Sequence, residues 1–76
     1  MRYYLTFSGE SIKQPLIYEI GQKFKVITNI RQATVSDQLG LMAVELTGEE
    51  DEINKSVQYL QDNGVRVEPL DNFLGN

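Results

Sequence analysis

Seventy-six residues leave room for one small domain. A chain of that length buries only about 60% of the surface it exposes when unfolded. It contains no Cys and no His, which removes disulfides, thiolate metal sites, the commonest general base and the commonest zinc ligand together. The net charge of −4 argues against a nucleic-acid partner, which calls for a basic footprint.

The charge is uneven. Residues 1–36 carry five basic and two acidic groups, and residues 37–76 carry two basic and nine acidic. The acidic half reads as a solvated helix face plus an acidic helix start. No apolar run approaches the about 20 residues of a membrane span, and the N-terminus lacks the layout of a signal peptide. No membrane insertion and a cytoplasmic location are therefore expected.

The first strand is written as alternation. Tyr3, Leu5 and Phe7 point one way and Arg2, Tyr4, Thr6 and Ser8 the other, the pattern of a half-buried strand. Gly9-Glu10-Ser11 breaks it. Pro15 suits a first helical turn, where its missing N–H costs nothing. Leu16, Ile17, Ile20 and Phe24 follow at helical spacing, so a helix is predicted over 15–23. Residues 25–36 are rich in Val, Ile and Thr and read as a long strand. A turn at Asp37-Gln38-Leu39-Gly40 returns it as a third strand over 41–47, making a hairpin.

Gly48 ends the third strand. Glu49, Glu50, Asp51 and Glu52 then crowd one first helical turn, where negative charge complements the helix dipole. Ile53, Val57 and Leu60 form the buried stripe, and Asn63-Gly64 stops the helix. Residues 65–70 make the last strand, and 71–76 are expected to fray. The order β-α-β-β-α-β predicts an α+β, ferredoxin-like domain. It is a four-stranded antiparallel sheet with both helices on one face, its ordered core about 2–70.

Several occupants of this fold are excluded by inventory. RNA-recognition domains stack bases on aromatics of the first and third strands, but Leu41-Met42-Ala43-Val44-Glu45-Leu46 has none. Metal carriers need paired Cys. Acylphosphatase-like enzymes need a phosphate loop with an Arg, and Ser8-Gly9-Glu10-Ser11 offers an acid. No His is present to activate a hydroxyl nucleophile. A non-enzymatic chain with no cofactor is expected.

Asn29 is a polar residue on a strand with apolar neighbours Ile27 and Ile30. Its amide suits the carboxylate and ammonium of an amino acid, or it faces solvent on the open side of the sheet. Arg31, two residues on, shares that face if no bulge intervenes. It either clamps a carboxylate or pairs with Glu45 across the hairpin. Met42 is core filling or a thioether lining opposite the motif strand. By alternation the open face holds Tyr4, Thr6, Ile27, Asn29, Leu41, Ala43 and Leu70. That is apolar enough to favour a homodimer.

The stretch from Phe24 onward resembles the NIL domain, a family named for an Asn-Ile-Leu motif on the second strand. The matching residues are Asn29-Ile30-Arg31, followed by Gln32-Ala33. The text then continues through Gly40-Leu41-Met42-Ala43-Val44-Glu45-Leu46-Thr47-Gly48, Tyr59-Leu60 and Gly64-Val65-Arg66-Val67-Glu68-Pro69-Leu70. Pro15-Leu16-Ile17 extends the likeness to nearly the whole chain. Arg31 stands where the name-giving Leu would be.

The resemblance implies a sensing module. Such domains sit at the C-terminus of methionine ABC transporter ATPases, bind methionine and inhibit transport; related copies are joined to ferredoxin-type iron–sulfur domains. They dimerise with ligand near the subunit interface. This sequence carries neither a P-loop nor a cluster Cys, so it is expected to be the sensing module as a stand-alone chain. The implied ligand is methionine or a related sulfur amino acid, contacted by Asn29, Ile30, Arg31 and Met42. The alternative is a ligand-free module docking on a transporter, a ferredoxin or a sulfur-metabolism enzyme.

Overall fold

A computed structural model describes residues 1–70; the expected frayed tail, 71–76, lies outside the described residues. The chain runs β1 (Arg2–Ser8), a 3₁₀ turn (Gly9–Lys13), α1 (Leu16–Lys23), β2 (Val26–Val35), β3 (Leu39–Gly48), α2 (Glu50–Asp62) and β4 (Arg66–Pro69). The strands form one sheet in the order β2-β3-β1-β4, with every neighbouring pair antiparallel. The predicted βαββαβ plan is the observed one.

Period-two alternation explains which face is covered. Tyr3, Leu5 and Phe7 of β1 and Val44 and Leu46 of β3 are buried together with Leu16 and Ile20 of α1 and Ile53 and Leu60 of α2. Both helices therefore lie on the same side of the sheet. Tyr4, Thr6, Leu41 and Ala43 are partly exposed on the other side.

Local differences from the sequence reading have local causes. Pro15 caps α1 from just outside, and its carbonyl accepts the Glu19 N–H at 3.0 Å. The hairpin turn is tighter than Asp37-Gln38-Leu39-Gly40. Ser36 N–H donates to the Leu39 carbonyl at 2.8 Å, so pairing extends to Val35 opposite Gly40. After β1 the chain winds into a 3₁₀ turn, begun by Gly9 at φ +58°. The Ser11 hydroxyl donates to the Ser8 carbonyl at 2.8 Å and accepts the Ser8 N–H at 2.9 Å.

Two devices fix α2. At its C-terminus, Gly64 N–H donates to Gln61 and Val65 N–H to Leu60, each at 3.0 Å, with Gly64 at φ +88°. This is the Schellman arrangement, and Val65 and Leu60 are both buried. On its outer side, the Tyr59 hydroxyl donates to Glu19 Oε1 at 2.7 Å, and its ring meets Phe24 edge-on at 5.8 Å. The bond to Glu19 holds the Tyr59 phenol above its usual pKa and ties α2 to α1.

At the start of α2, Glu52 Oε1 accepts the Lys25 backbone N–H at 2.8 Å. That bond, assisted by Lys55, lowers the Glu52 pKa against a smaller opposing effect of desolvation. Because the folded value lies below the unfolded one, the contribution is present above the ordinary glutamate value. It is lost as pH falls through the lowered value. In Glu52→Gln, the slope of urea-unfolding stability against pH over the acid range is expected to be shallower than in the native chain. An unchanged slope would remove Glu52 from the account.

Candidate functional site

The motif strand β2 is an edge strand, and the motif falls at an irregularity in it. Asn29 lies opposite Glu45 and Ile30 opposite Val44, but the next pair is Gln32 with Ala43. Arg31 is thus the extra residue of a β-bulge. The simple alternation that would put Asn29 and Arg31 on one face does not apply.

Asn29 is exposed and aligned with Glu45 on the open face. Arg31 Nη1 reaches Glu45 Oε1 at 3.3 Å through a single contact, with the side chains 50% and 33% exposed. A pair that open to water contributes under about 1 kcal/mol. Nearby, Tyr4, Gln32, Thr34, Leu41 and Ala43 outline a shallow open-face depression of about 90 Å³. Ile30 aligns with buried Val44 and so belongs to the helix side, yet it is 49% exposed.

Met42 lies elsewhere. It is aligned with Leu5 and Ala33 and packs against the core, which puts it on the helix side. There it lines a cleft of about 210 Å³ between the 3₁₀ turn, the start of α1 and the free end of the hairpin. The walls include Phe7, Ile12, Leu16, Ile17, Val35 and Met42. The Ser11 hydroxyl in that wall is already committed to Ser8 in both directions, leaving the lining almost wholly apolar.

Gly40 explains why there is space. It occupies an inward position of β3, opposite Phe7 on one side and Val35 on the other, where a side chain would enter the cleft.

The four residues singled out from the sequence therefore fall into two groups. Asn29 and Arg31, with Glu45, form a polar patch on the open face. Ile30 and Met42 belong to the helix side, and only Met42 lines the cleft. Ile12, Ile17, Val35 and Gly40 were not singled out; the inward-facing glycine was the one available signal. Among the described residues no cluster of acidic side chains converges as a metal site would require.

The architecture defines a ferredoxin-like domain with a polar motif on its edge strand and an apolar cleft under its first helix. The sequence profile of the NIL domain family matches residues 1–69, and the chain belongs to that family. It is 35% identical to the methionine import ATP-binding protein MetN of Bacillus subtilis, over 90% of this chain and 21% of that protein. It is 38% identical to the Geobacillus kaustophilus protein of the same name, over 87% of this chain and 20% of the relative. The chain thus spans about one fifth of these relatives' length. A solved structure, the C-terminal domain of an ABC transporter ATP-binding protein from Enterococcus faecalis, superposes with a TM-score of 0.83. It is 29% identical, covering 93% of this chain and 83% of that one.

Proposed function

We propose that this chain is a non-catalytic regulatory module that binds methionine or a related sulfur amino acid and biases a partner protein. The observation that carries the reading is membership of the NIL family together with relatives named for methionine import. The partner is an importer ATPase subunit, which gives the module a cytoplasmic address. No described helix is long and apolar enough to cross a membrane. Binding must differ between two states of the partner or of the module, because affinity alone shifts nothing.

Asn29 and Arg31 offer donors for a carboxylate, with Glu45 available to an ammonium. Ile30 and Met42 offer apolar contact. The sheet stands between the polar patch and the cleft, so one small ligand meets both only across two copies of the chain. A homodimer is accordingly part of the proposal. Ile27, Val35 and Leu39, at 70%, 65% and 42% exposed, lie along β2 and the hairpin where a second copy would cover them. Sedimentation equilibrium showing only an 8.7 kDa species throughout the micromolar range would remove the dimer.

The experiment is a calorimetric titration of L-methionine into the native chain and into Asn29→Ala. Saturable heat in the native chain that weakens about ten-fold or more in Asn29→Ala is expected, since losing a charge-assisted hydrogen bond costs on that order. One observation favours a second reading, an interaction module without ligand: Arg31 already holds Glu45. Absence of heat at millimolar methionine would support that reading, with a transporter, a ferredoxin or a sulfur-metabolism enzyme as partner.

A further inference from the structure

We infer that Asn63 is a site of spontaneous covalent modification, deamidation through attack by the Gly64 backbone nitrogen, and that the cap of α2 gates the reaction. The inference concerns the joint between α2 and β4 and stands apart from the ligand reading.

Among the chain's asparagines, Asn63 alone is followed by glycine; Asn29, Asn54 and Asn72 precede Ile30, Lys55 and Phe73. Glycine has no Cβ to shield its nitrogen, and nothing lies within 4 Å of where a Cβ would stand on Gly64. Gly64 is exposed and Asn63 half-buried, so water reaches the pair. Water is the one co-reactant. The Gly64 nitrogen forms a bond to Asn63 Cγ, the Cγ–Nδ2 bond breaks, and the proton lost from Gly64 N–H ends on the departing ammonia. This leaves a five-membered imide. A water molecule then opens the imide at either carbonyl, giving aspartate or isoaspartate. The net change is one water consumed and one ammonia released.

The folded chain holds these atoms away from that path. Asn63 ψ is 17°, which nearly eclipses the Asn63 and Gly64 nitrogens, whereas the imide ring must bring Cβ into line with the Gly64 nitrogen instead. Asn63 Nδ2 donates to the Tyr59 carbonyl at 2.9 Å, directing the side chain back along the helix. The Gly64 N–H is engaged by the Gln61 carbonyl at 3.0 Å. Reaction requires both bonds to release and ψ to turn, an opening of the last turn of α2. Its rate therefore follows the population of the open cap.

Neither product rebuilds the cap. Aspartate at position 63 lacks the Nδ2 donor and sets a second negative charge beside Asp62. It does so at a helix end where the dipole disfavours anions and the last turn holds no basic residue. Isoaspartate adds a main-chain carbon before Gly64, lengthening the segment closed by the bonds of Gly64 to Gln61 and Val65 to Leu60. Each opening that reacts is recorded irreversibly and favours further opening.

The test incubates the chain in warm neutral buffer with and without denaturing urea. Brief tryptic digestion isolates residues 56–66, bounded by Lys55 and Arg66. Mass spectrometry reads the amide-to-acid gain, and an isoaspartyl methyltransferase scores the iso form. Modification at Asn63 in urea is expected, with the folded chain reacting at least about ten-fold more slowly. Val65→Ala keeps Asn63-Gly64 and trims the buried side chain next to the cap. It should react faster than the native chain in buffer and at the same rate in urea. If that variant does not fold, the native chain in graded sub-denaturing urea reads the same gating, as a rate that climbs before the global transition. Equal rates with and without urea, or no acceleration by Val65→Ala or sub-denaturing urea, would overturn the gating. No modification at Asn63 in urea, or equal modification at Asn54, would overturn the site.

Discussion

Leu46→Ala is expected to destabilise the domain by about 2–5 kcal/mol, the range for deleting a buried leucine and leaving a cavity. Leu46 is 0% exposed and stands on β3, which has a paired strand on each side. It touches a core closed from above by both helices, so little can collapse into the gap. A domain of 76 residues holds about 4–11 kcal/mol in all, so the variant loses a large share of its stability. Tyr18→Ala is the control. Tyr18 is 67% exposed on α1, and its loss should change stability by no more than about 0.5 kcal/mol. Urea midpoints at constant m measure both. Equal losses in the two variants would contradict the assignment of the buried face.

Gly48→Ala is expected to cost about 1–3 kcal/mol through overcrowding rather than a cavity. A Cβ at Gly48 would lie 2.6 Å from the Lys25 carbonyl oxygen and 3.5 Å from Val26. The obstacle is backbone, so the start of β2 must move. That movement also disturbs the bond from Lys25 N–H to Glu52. Gly48→Ala and Glu52→Gln should therefore be less than additive in a double-mutant cycle. Native-like stability in Gly48→Ala would show that β2 yields freely at its first residue.

The reach of the sequence follows from where the physics is local. Alternation in β1, the proline before α1 and the Asn63-Gly64 stop are each decided within a few residues. These features appear in the structure close to where the sequence puts them. The bulge at Arg31 has no such signal: Asn29-Ile30-Arg31-Gln32 contains no glycine, and the extra residue is set by matching two stretches of β2 to β3. The pairing of Arg31 with Glu45 was legible all the same, because a long cation near a carboxylate on the facing strand finds it despite the bulge.

Separation of Asn29 from Met42 was half legible. Met42, Val44 and Leu46 share one face by alternation, so Glu45, aligned with Asn29, must share the other. The cleft was not legible. It exists because a 3₁₀ turn and α1 arch over the hairpin end, and that placement depends on tertiary contact, including the tie from Tyr59 to Glu19.

The central claim, that this chain senses methionine, is tested most directly by thermal unfolding with and without excess L-methionine. At a concentration of about 100 times Kd, binding to the native state alone adds roughly 2.7 kcal/mol. In a domain of this size that raises Tm by on the order of 10 °C or more. The account predicts a rise that saturates with methionine and is absent with alanine, which has the same charged ends and almost no side chain. An unmoved Tm at millimolar methionine, or an equal rise with alanine, would contradict it.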